Sequence, residues 1–314
     1  MASTGEAAYE VELVTVKYPT VLELLLQQKM SKLRMYIESA QYVGKAASPI
    51  NQIGVLEAKM PQPRYAPVVF DIPQYTRPWI FPNDRQLTVP LDTFDLLRSI
   101  VDPTSGINLA TVAAFNRWFD DLIITAALGS WTSGPDASSY TTNTFDATND
   151  LISDSFGASA STGMTYPKLV EAWRILRHYQ NDMDAEMPCV AIGSKQEEDV
   201  KRQQEFISRD YSERNMVNTG TIDGEKIGGF HAVVTERLAT SSSSTLRNCF
   251  AWVRTGLHLG LWRDVTVFID HRTDLESRPW QLKAMATAGA TRTQNHKVIQ
   301  INCADTFGVD PTAP

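Results

Sequence analysis

Residues 102–129 read DPTSGINLATVAAFNRWFDDLIITAALG, and this stretch predicts the longest helix of the chain, over residues 107–128. Thr104 and Ser105 can each cap its start, because a side-chain oxygen accepts a hydrogen bond from a free backbone amide. Apolar residues then recur at helical spacing, and Gly129 is a typical helix stop. We therefore expect one long helix that packs against the rest of the protein.

The same region concentrates the acidic charge of the chain. The sequence has 29 Lys and Arg against 36 Asp and Glu, a net charge of −7, which makes it a poor candidate for a direct nucleic-acid reader. Within residues 101–160 a single basic residue, Arg117, stands against Asp102, Asp120, Asp121, Asp136, Asp146, Asp150 and Asp154. The simpler interpretation is a solvated helix face followed by an acidic loop. The alternative is a surface that meets a basic partner, such as another copy of this chain.

Two adjacent carboxylates on the long helix are candidates for chemistry. Asp120 and Asp121 point about 100° apart on a helix, so they do not form a general acid/base pair on one face. Arg117 and Asp121 have the spacing of a helical ion pair, and Arg117 could instead reach a neighbouring subunit.

The chain before the long helix divides into three parts. Residues 1–19 resemble an arm, and Thr20 with Glu23 predicts a capping box at the start of a helix whose apolar stripe ends at Ile37. Residues 48–90 contain half of the 16 prolines, which exclude a helix and a central strand. We expect a long extended arm or hairpin there. Residues 92–100 again have a helical pattern.

The chain after the long helix is mixed. Loops and edge strands are predicted for residues 130–165, and a turn at Gly224, Gly228 and Gly229 predicts a hairpin. In two predicted strands every second side chain is expected to point into the core. These side chains are Val265, Val267 and Ile269 in one strand, and Leu282, Ala284 and Ala286 in the other. The pattern predicts helices over 166–181 and 195–206 and strands over 190–192, 231–235, 248–253, 257–262, 265–269, 282–286 and 297–303. The fold class is therefore α+β.

Catalytic motifs are missing from the sequence. It has no phosphate-binding loop, no H-E-x-x-H motif and no nucleophile elbow, and its five histidines are scattered without ligand spacing. The three cysteines, Cys189, Cys249 and Cys303, indicate buried thiols rather than disulfides or a zinc site. No uncharged stretch is long and apolar enough to span a bilayer, and the first residues do not resemble a secretory signal. We expect no catalytic residues, no cofactor and no metal.

Several short patterns in this order resemble the phage capsid family, the major capsid proteins of tailed bacteriophages with the Hong Kong 97-type fold. They are Arg77-Pro78-Trp79, Asp95-Leu96-Leu97-Arg98, Asp102-Pro103-Thr104-Ser105, Arg117-Trp118-Phe119-Asp120-Asp121, Gly228-Gly229-Phe230, Glu236-Arg237-Leu238, Ala251-Trp252 and Ala288-Gly289-Ala290-Thr291-Arg292. The resemblance covers residues 20–303. No single pattern is diagnostic, but their order and spacing together are specific.

The resemblance implies a division of the chain. Residues 1–50 would form the N-terminal arm and helix, and residues 51–90 the extended loop. Residues 91–131 and 263–314 would form the peripheral domain around the spine helix, residues 107–128. Residues 132–262 would form the axial domain.

The implied function is a shell that encloses double-stranded DNA without sequence-specific binding. Copies of the chain would form hexamers and pentamers, with a separate scaffolding protein, a portal and decoration proteins as partners. The protein would be found in the virion, after assembly in the host bacterial cytoplasm. Inter-subunit contacts are predicted for Arg64, Tyr65, Arg77, Trp79, Arg117, Asp120 and Asp121. Lys59 lies on the extended loop, but nothing marks an acceptor for a covalent crosslink.

Two other functions remain open from the sequence. Within the same fold, the chain could form an encapsulin-like compartment that holds cargo protein. In a different class, it could be a soluble α+β hydrolase with an unrecognised site. The size of the purified particle separates both shells from the enzyme, and nuclease-protected DNA separates a virion from a compartment.

Overall fold

The computed structural model describes residues 25–48, 50–54, 56–60, 70–91, 104–136, 138–183, 185–203, 222–240, 245–276 and 278–306. Within these residues the helices are α1 (Thr104–Leu128), α2 (Tyr166–His178) and α3 (Ser194–Arg202). The strands are β1 (Glu38–Gln41), β2 (Gln52–Ile53), β3 (Tyr75–Thr76), β4 (Pro78–Trp79), β5 (Asn83–Leu91), β6 (Trp131–Asp136), β7 (Ser139–Asn143), β8 (Leu151–Ile152), β9 (Pro188–Ile192), β10 (Lys226–Ile227), β11 (Phe230–Val234), β12 (Leu246–Val253), β13 (Leu257–His271), β14 (Trp280–Arg292) and β15 (Val298–Ala304). Helices and strands are therefore mixed, as the α+β prediction requires.

The larger sheet has the strand order β10-β11-β9-β12-β15-β8. Its central strand β9 is buried at all five positions, and α2 packs Leu169 and Leu176 into the same core. A strand that is covered on both faces needs a continuous apolar run, which the sequence CVAI at residues 189–192 supplies. This sheet forms the centre of one packed body.

The second sheet, with the order β1-β13-β14-β5, carries the long helix. Helix α1 packs on β13 and β14, and its residues Phe119, Ile123 and Ala127 are fully buried. On β14, Ala284 and Ala286 are also buried, and their small side chains let the helix approach closely. The helix therefore lies directly on this sheet. Its edge strand β5 continues the chain from the extended loop.

Most predicted elements after residue 104 are confirmed. Helix α1 starts three residues earlier than predicted and ends at the predicted residue. The predicted hairpin is formed by β10 and β11, and Gly228 and Gly229 have φ angles of 54° and 93°. A side chain at Gly229 would also collide with the Trp173 ring. Glycine is thus required there for both conformation and space.

The proline-rich segment forms strands only where prolines permit them. β5 is the edge strand of its sheet, and Pro90 lies opposite Gln281 of β14. An edge strand tolerates proline because the outer side of the strand has no ladder partner. The prediction that this segment contains no central strand is confirmed for residues 70–91.

The predicted first helix is wrong in the part that the structure describes. Residues 25–33 contain no helix, and only a 3-10 turn follows at Arg34–Tyr36. Leu25, Leu26 and Met30 of the expected apolar stripe are 88 %, 105 % and 76 % exposed. The helical spacing is present, but among the described residues of the stripe only Leu33 and Ile37, at its end, pack into the core. The part of this prediction before residue 25 and the helix predicted over residues 92–100 lie outside the described residues.

Two strands complete the description of the sheets. β13 joins the strands predicted over residues 257–262 and 265–269 into one, with register irregularities between Leu261 and Thr266, and its residue Ile269 is 44 % exposed rather than inward-facing. β15 pairs with β12 in the larger sheet. The seven-residue register between β12 and β15 holds this last strand in the larger sheet.

Helix α3 ends at Arg202, earlier than the predicted residue 206, and residues 204–206 lie outside the described part. In the described ranges, no helix has the length and apolarity needed to cross a membrane.

Candidate assembly surfaces

Asp120 is the centre of a contact between α1 and the N-terminal segment, residues 25–37. Its side chain is fully buried and accepts hydrogen bonds from the Gln28 Nε2 and Ser31 Oγ atoms, each at 2.5 Å. The backbone amides of Lys32 and Leu33 donate to the same carboxylate at 3.1 and 3.3 Å. Four donors thus replace the solvation that the buried carboxylate has lost.

Arg117 joins the same contact from one turn earlier on α1. Its Nη1 atom donates to Gln27 Oε1 at 2.7 Å and to the Gln28 carbonyl oxygen at 3.1 Å. The neighbouring Asn116 donates to the Lys29 carbonyl oxygen at 2.9 Å. Side chains on one face of α1 therefore bind both the backbone and the side chains of the N-terminal segment.

Asp121 points elsewhere and binds Arg237, which follows β11. The guanidinium donates from Nε and Nη2 to the two carboxylate oxygens at 2.7 and 2.5 Å. These hydrogen bonds raise the pKa of Arg237. The ion pair between Arg117 and Asp121 does not form, so that interpretation is wrong, because each residue has a longer-range partner. The different directions of Asp120 and Asp121 agree with the prediction that they do not act as an acid/base pair.

The extended loop leaves large apolar side chains exposed. Met60, Phe70 and Ile72 are 92 %, 82 % and 85 % exposed. The loop is held by the short β2–β3 pairing and by an exposed ion pair of 2.5 Å between Lys59 and Asp71. An exposed ion pair contributes little to stability, so these contacts leave the apolar surface without cover from the described part of the chain.

The predicted interface residues of the loop have different surroundings. Arg77 is exposed, whereas Trp79 is half-buried and donates from Nε1 to the Gly134 carbonyl oxygen at 3.1 Å. Trp79 thereby anchors β4 to β6 within the chain. Arg64 and Tyr65 lie outside the described residues.

Lys168 is a fully buried cation, and no carboxylate of the described residues forms an ion pair with it. Its Nζ atom lies 2.9 Å from the carbonyl oxygens of Asp154, Thr162 and Gly163 and 3.1 Å from that of Asn302, so its three N–H groups are shared among four acceptors. Burial lowers its pKa. The ammonium ties the loop before α2 to β15, and the backbone carbonyls surround it, so its role is structural.

The three cysteines are free and buried, as predicted. Burial raises the pKa of Cys189 to about 12 and raises that of Cys249 well above its usual value. Since the thiolate is the reactive form, these two thiols are poor nucleophiles at neutral pH.

One cluster was missed by the sequence analysis. Asp146 and Asp150, between β7 and β8, lie beside His296 in the turn before β15, with ligand atoms within 4.8 Å of one another. Spacing along the chain could not reveal the cluster, because 146 residues separate Asp150 from His296. Asp120 and Asp150 are both fully buried, so the interpretation of the acidic stretch as a solvated face and loop is wrong for these two residues.

Comparisons with known proteins agree with this architecture. A model of the phage capsid protein family matches residues 12–305, and a search of the curated proteins finds no match. The capsid structure of cyanophage P-SCSP1u is similar with a TM-score of 0.70 and 14 % identity, over 94 % of this chain and 95 % of that chain. The cyanophage Pam1 capsid gives 0.68 and 14 % over the whole of both chains, and the capsid of the native GTA particle gives 0.65 and 13 % over 97 % and 100 %.

These similarities define the fold as the Hong Kong 97-type fold of capsid shell proteins. The match over most of the sequence goes further than the fold. The chain belongs to the phage capsid protein family, and it is a major capsid protein, a structural protein of a phage head shell.

Proposed function

We propose that copies of this chain form hexamers and pentamers that close into an icosahedral shell around double-stranded DNA. The observation that carries the proposal is the apolar surface of the extended loop, where Met60, Phe70 and Ile72 are each more than four-fifths exposed. Clusters of exposed apolar side chains mark sites of protein association. A neighbouring copy would bury this surface.

Arms that overlap neighbours suit a closed shell. Each loop contact can be weak, because a neighbour that is already held in the ring sees the next contact at high effective concentration. Many weak contacts then give a stable particle. In this proposal the folded body of each subunit forms the wall of the shell, and the extended loop supplies most of the inter-subunit interface.

We retain the proposed division of the chain, with residues 1–50 as the N-terminal arm, 51–90 as the extended loop and 132–262 as the axial domain. The peripheral domain comprises residues 91–131 and 263–314. Arg64, Tyr65 and Arg77 are proposed inter-subunit residues on the loop, and the exposure of Arg77 supports its assignment. Trp79, Arg117, Asp120 and Asp121 are proposed to support the interface by holding the chain's own segments in place, since each has a partner within the chain.

The enclosed DNA would be contained rather than bound. With 29 basic against 36 acidic residues, a subunit has few uncompensated cations to neutralise phosphates. We propose no enzymatic activity, a location in the virion and assembly in the host bacterial cytoplasm. A separate scaffolding protein, a portal and decoration proteins are the proposed partners.

Particle size and content test this function. Particles isolated from infected cells should have megadalton mass by light scattering, and electron micrographs should show closed shells that protect DNA from nuclease. Dissociated subunits should bind a labelled DNA duplex weakly at ~0.15 M salt. A protein that remains a small oligomer in infected cells would contradict the proposal. Sub-micromolar duplex binding with a steep salt dependence would contradict the account of containment.

A further inference from the structure

Two segments that are distant in the chain bring three ligand-type side chains together. Asp146 and Asp150 lie in the loop between β7 and β8, and His296 lies in the 3-10 turn Asn295–Lys297 before β15. Their candidate ligand atoms all lie within 4.8 Å of one another. The His296 Nδ1 atom is nearly equidistant from the two Asp150 oxygens, at 3.1 and 3.0 Å.

The Asp150 carboxylate has fewer partners than its burial requires. It is fully buried, yet among the described residues only His296 donates a hydrogen bond to it. Asp120, the other fully buried aspartate of this region, accepts four such bonds. Buried carboxylates are normally paired, fully hydrogen-bonded or bound to a metal. One imidazole N–H leaves most of the lone pairs of Asp150 unused.

Two of the three side chains, His296 and Asp146, are also oriented by contacts behind them. The Tyr179 ring stacks on His296 at 3.7 Å with an interplanar angle of 9°. Asp146 accepts hydrogen bonds from the Thr148 amide at 3.0 Å and from Asn149 Nδ2 at 2.8 Å. Such outer contacts fix ligand geometry in metal sites. His296 is partly exposed and Asp146 is half-buried, which gives an ion a route from solvent.

We propose that Asp146, Asp150 and His296 bind one divalent transition-metal ion of the zinc and cobalt class. One imidazole nitrogen with carboxylate oxygens is a donor set that suits these ions, and water would complete the coordination. In the metal-bound form His296 would be the neutral tautomer that carries its proton on Nε2, so that the Nδ1 lone pair is a ligand, and Asp150 would be ionised. The ion would clip the β7–β8 loop to the start of β15. This inference is independent of the proposed assembly.

The buried guanidinium of Arg292 moderates the expected affinity. Burial raises the pKa of Asp150, and the charge of Arg292 opposes that shift; the Arg292 Nη1 atom itself donates to the Ala127 carbonyl oxygen. A nearby cation repels a metal ion, so we expect a weaker site than one made of carboxylates and histidine alone. Two carboxylates against one guanidinium still leave the site net negative.

The test uses the full chain after treatment with a chelator, with Co2+ as the probe. We expect a visible absorption band that saturates at one Co2+ per chain and that Zn2+ removes by competition. Thermal unfolding should occur at a higher temperature with the ion, because the ion binds the folded chain. Asp150→Asn and His296→Gln should weaken Co2+ binding at least tenfold. His271→Gln, at the exposed end of β13, is the matched control and should bind as the unaltered chain does.

Three results would overturn the proposal. The unaltered chain could show no saturable Co2+ band, in which case Asp150 and His296 form only a hydrogen bond. The Asp150→Asn and His296→Gln variants could bind Co2+ as tightly as the unaltered chain, which would place the ion elsewhere. If Asp150→Asn does not fold, Asp146→Asn at the half-buried position replaces it, and unchanged affinity in that variant would equally contradict the assignment.

Discussion

The larger sheet and the extended loop differ in where their side chains find partners. In the sheet, all five residues of β9 are buried, and even the charge of Lys168 is enclosed by carbonyl oxygens of its own chain. On the loop, Phe70 and Ile72 are more than 80 % exposed. The residues of the sheet therefore find their partners within one subunit, whereas in the proposed shell a neighbouring subunit would bury the loop. Substitutions in the sheet should consequently lower the stability of the subunit, whereas substitutions on the loop should reduce particle formation.

Lys168→Met should have the largest effect on subunit stability. The substitution keeps the apolar stem but removes the ammonium that four carbonyl oxygens share, and among the described residues only those of Asp154 and Thr162 have another donor outside the strand ladders. A hydrogen bond to a charged group contributes about 1.5–3 kcal/mol, so losing the contacts of the ammonium should lower the free energy of unfolding by about 3–5 kcal/mol. Urea unfolding followed by circular dichroism measures it.

Lys226→Met, at the exposed position of β10, is the control for that experiment. A surface substitution of this kind should change the free energy of unfolding by no more than about 0.5 kcal/mol. If the two variants unfolded alike, the body would not depend on its enclosed cation, and the contrast between the regions would be weakened.

The buried His258, where β1 pairs with β13, should make the free energy of unfolding fall at acidic pH. Burial lowers the pKa of His258 to about 4, and its Nε2 atom lies 2.9 Å from the Tyr42 hydroxyl oxygen. An unfolded histidine titrates near pH 6.5, so between these values the unfolded chain binds more protons. Stability should fall by about 3 kcal/mol as the pH drops from 6.5 to 4 through this group.

Unfolding curves at several pH values test that expectation. His258→Gln should flatten the dependence between pH 6.5 and 4, whereas His271→Gln at an exposed position of β13 should retain it. Equal slopes in the His258 variant and the unaltered chain would remove His258 as the cause.

Asp120→Ala should release the N-terminal segment with a smaller, local effect. The variant loses the acceptor for the Lys32 and Leu33 amides, so their hydrogen exchange should accelerate at least tenfold, corresponding to about 1.4 kcal/mol or more of local stability. Asp121→Asn is a matched control, because Asp121 binds Arg237 instead. Faster exchange in both variants would show general loosening of α1 rather than a specific capture of the segment.

The sequence correctly predicted those helices and strands whose structure follows from residues close together in the chain. The spine helix, the glycine hairpin and the strands of the larger sheet were found because their apolar spacing and turn residues match their burial. The N-terminal segment was predicted wrongly, although its spacing is helical. Asp120 captures Ser31, Lys32 and Leu33 from about 90 residues away, and that tertiary contact is not encoded in the spacing of the segment itself.

In the candidate sites, too, contacts between residues far apart in the chain could not be predicted from local patterns. The sequence singled out Arg117, Asp120 and Asp121 but not their partners, because each partner lies 87 or more residues away. The order of the short patterns was informative about the family, since it reflects the whole chain. The cluster at His296 had no local signal at all, because it forms only when β15 joins the larger sheet.

The central claim is that the extended loop joins subunits without contributing to their folding. The most direct test is the double variant Phe70→Asp and Ile72→Asp, measured for both unfolding and particle formation. Because both side chains are already exposed, the free energy of unfolding should change by no more than about 0.5 kcal/mol. Closed particles, counted by sedimentation and electron microscopy, should fall at least tenfold. Normal particle yield with this variant, or a subunit that no longer folds, would contradict the account.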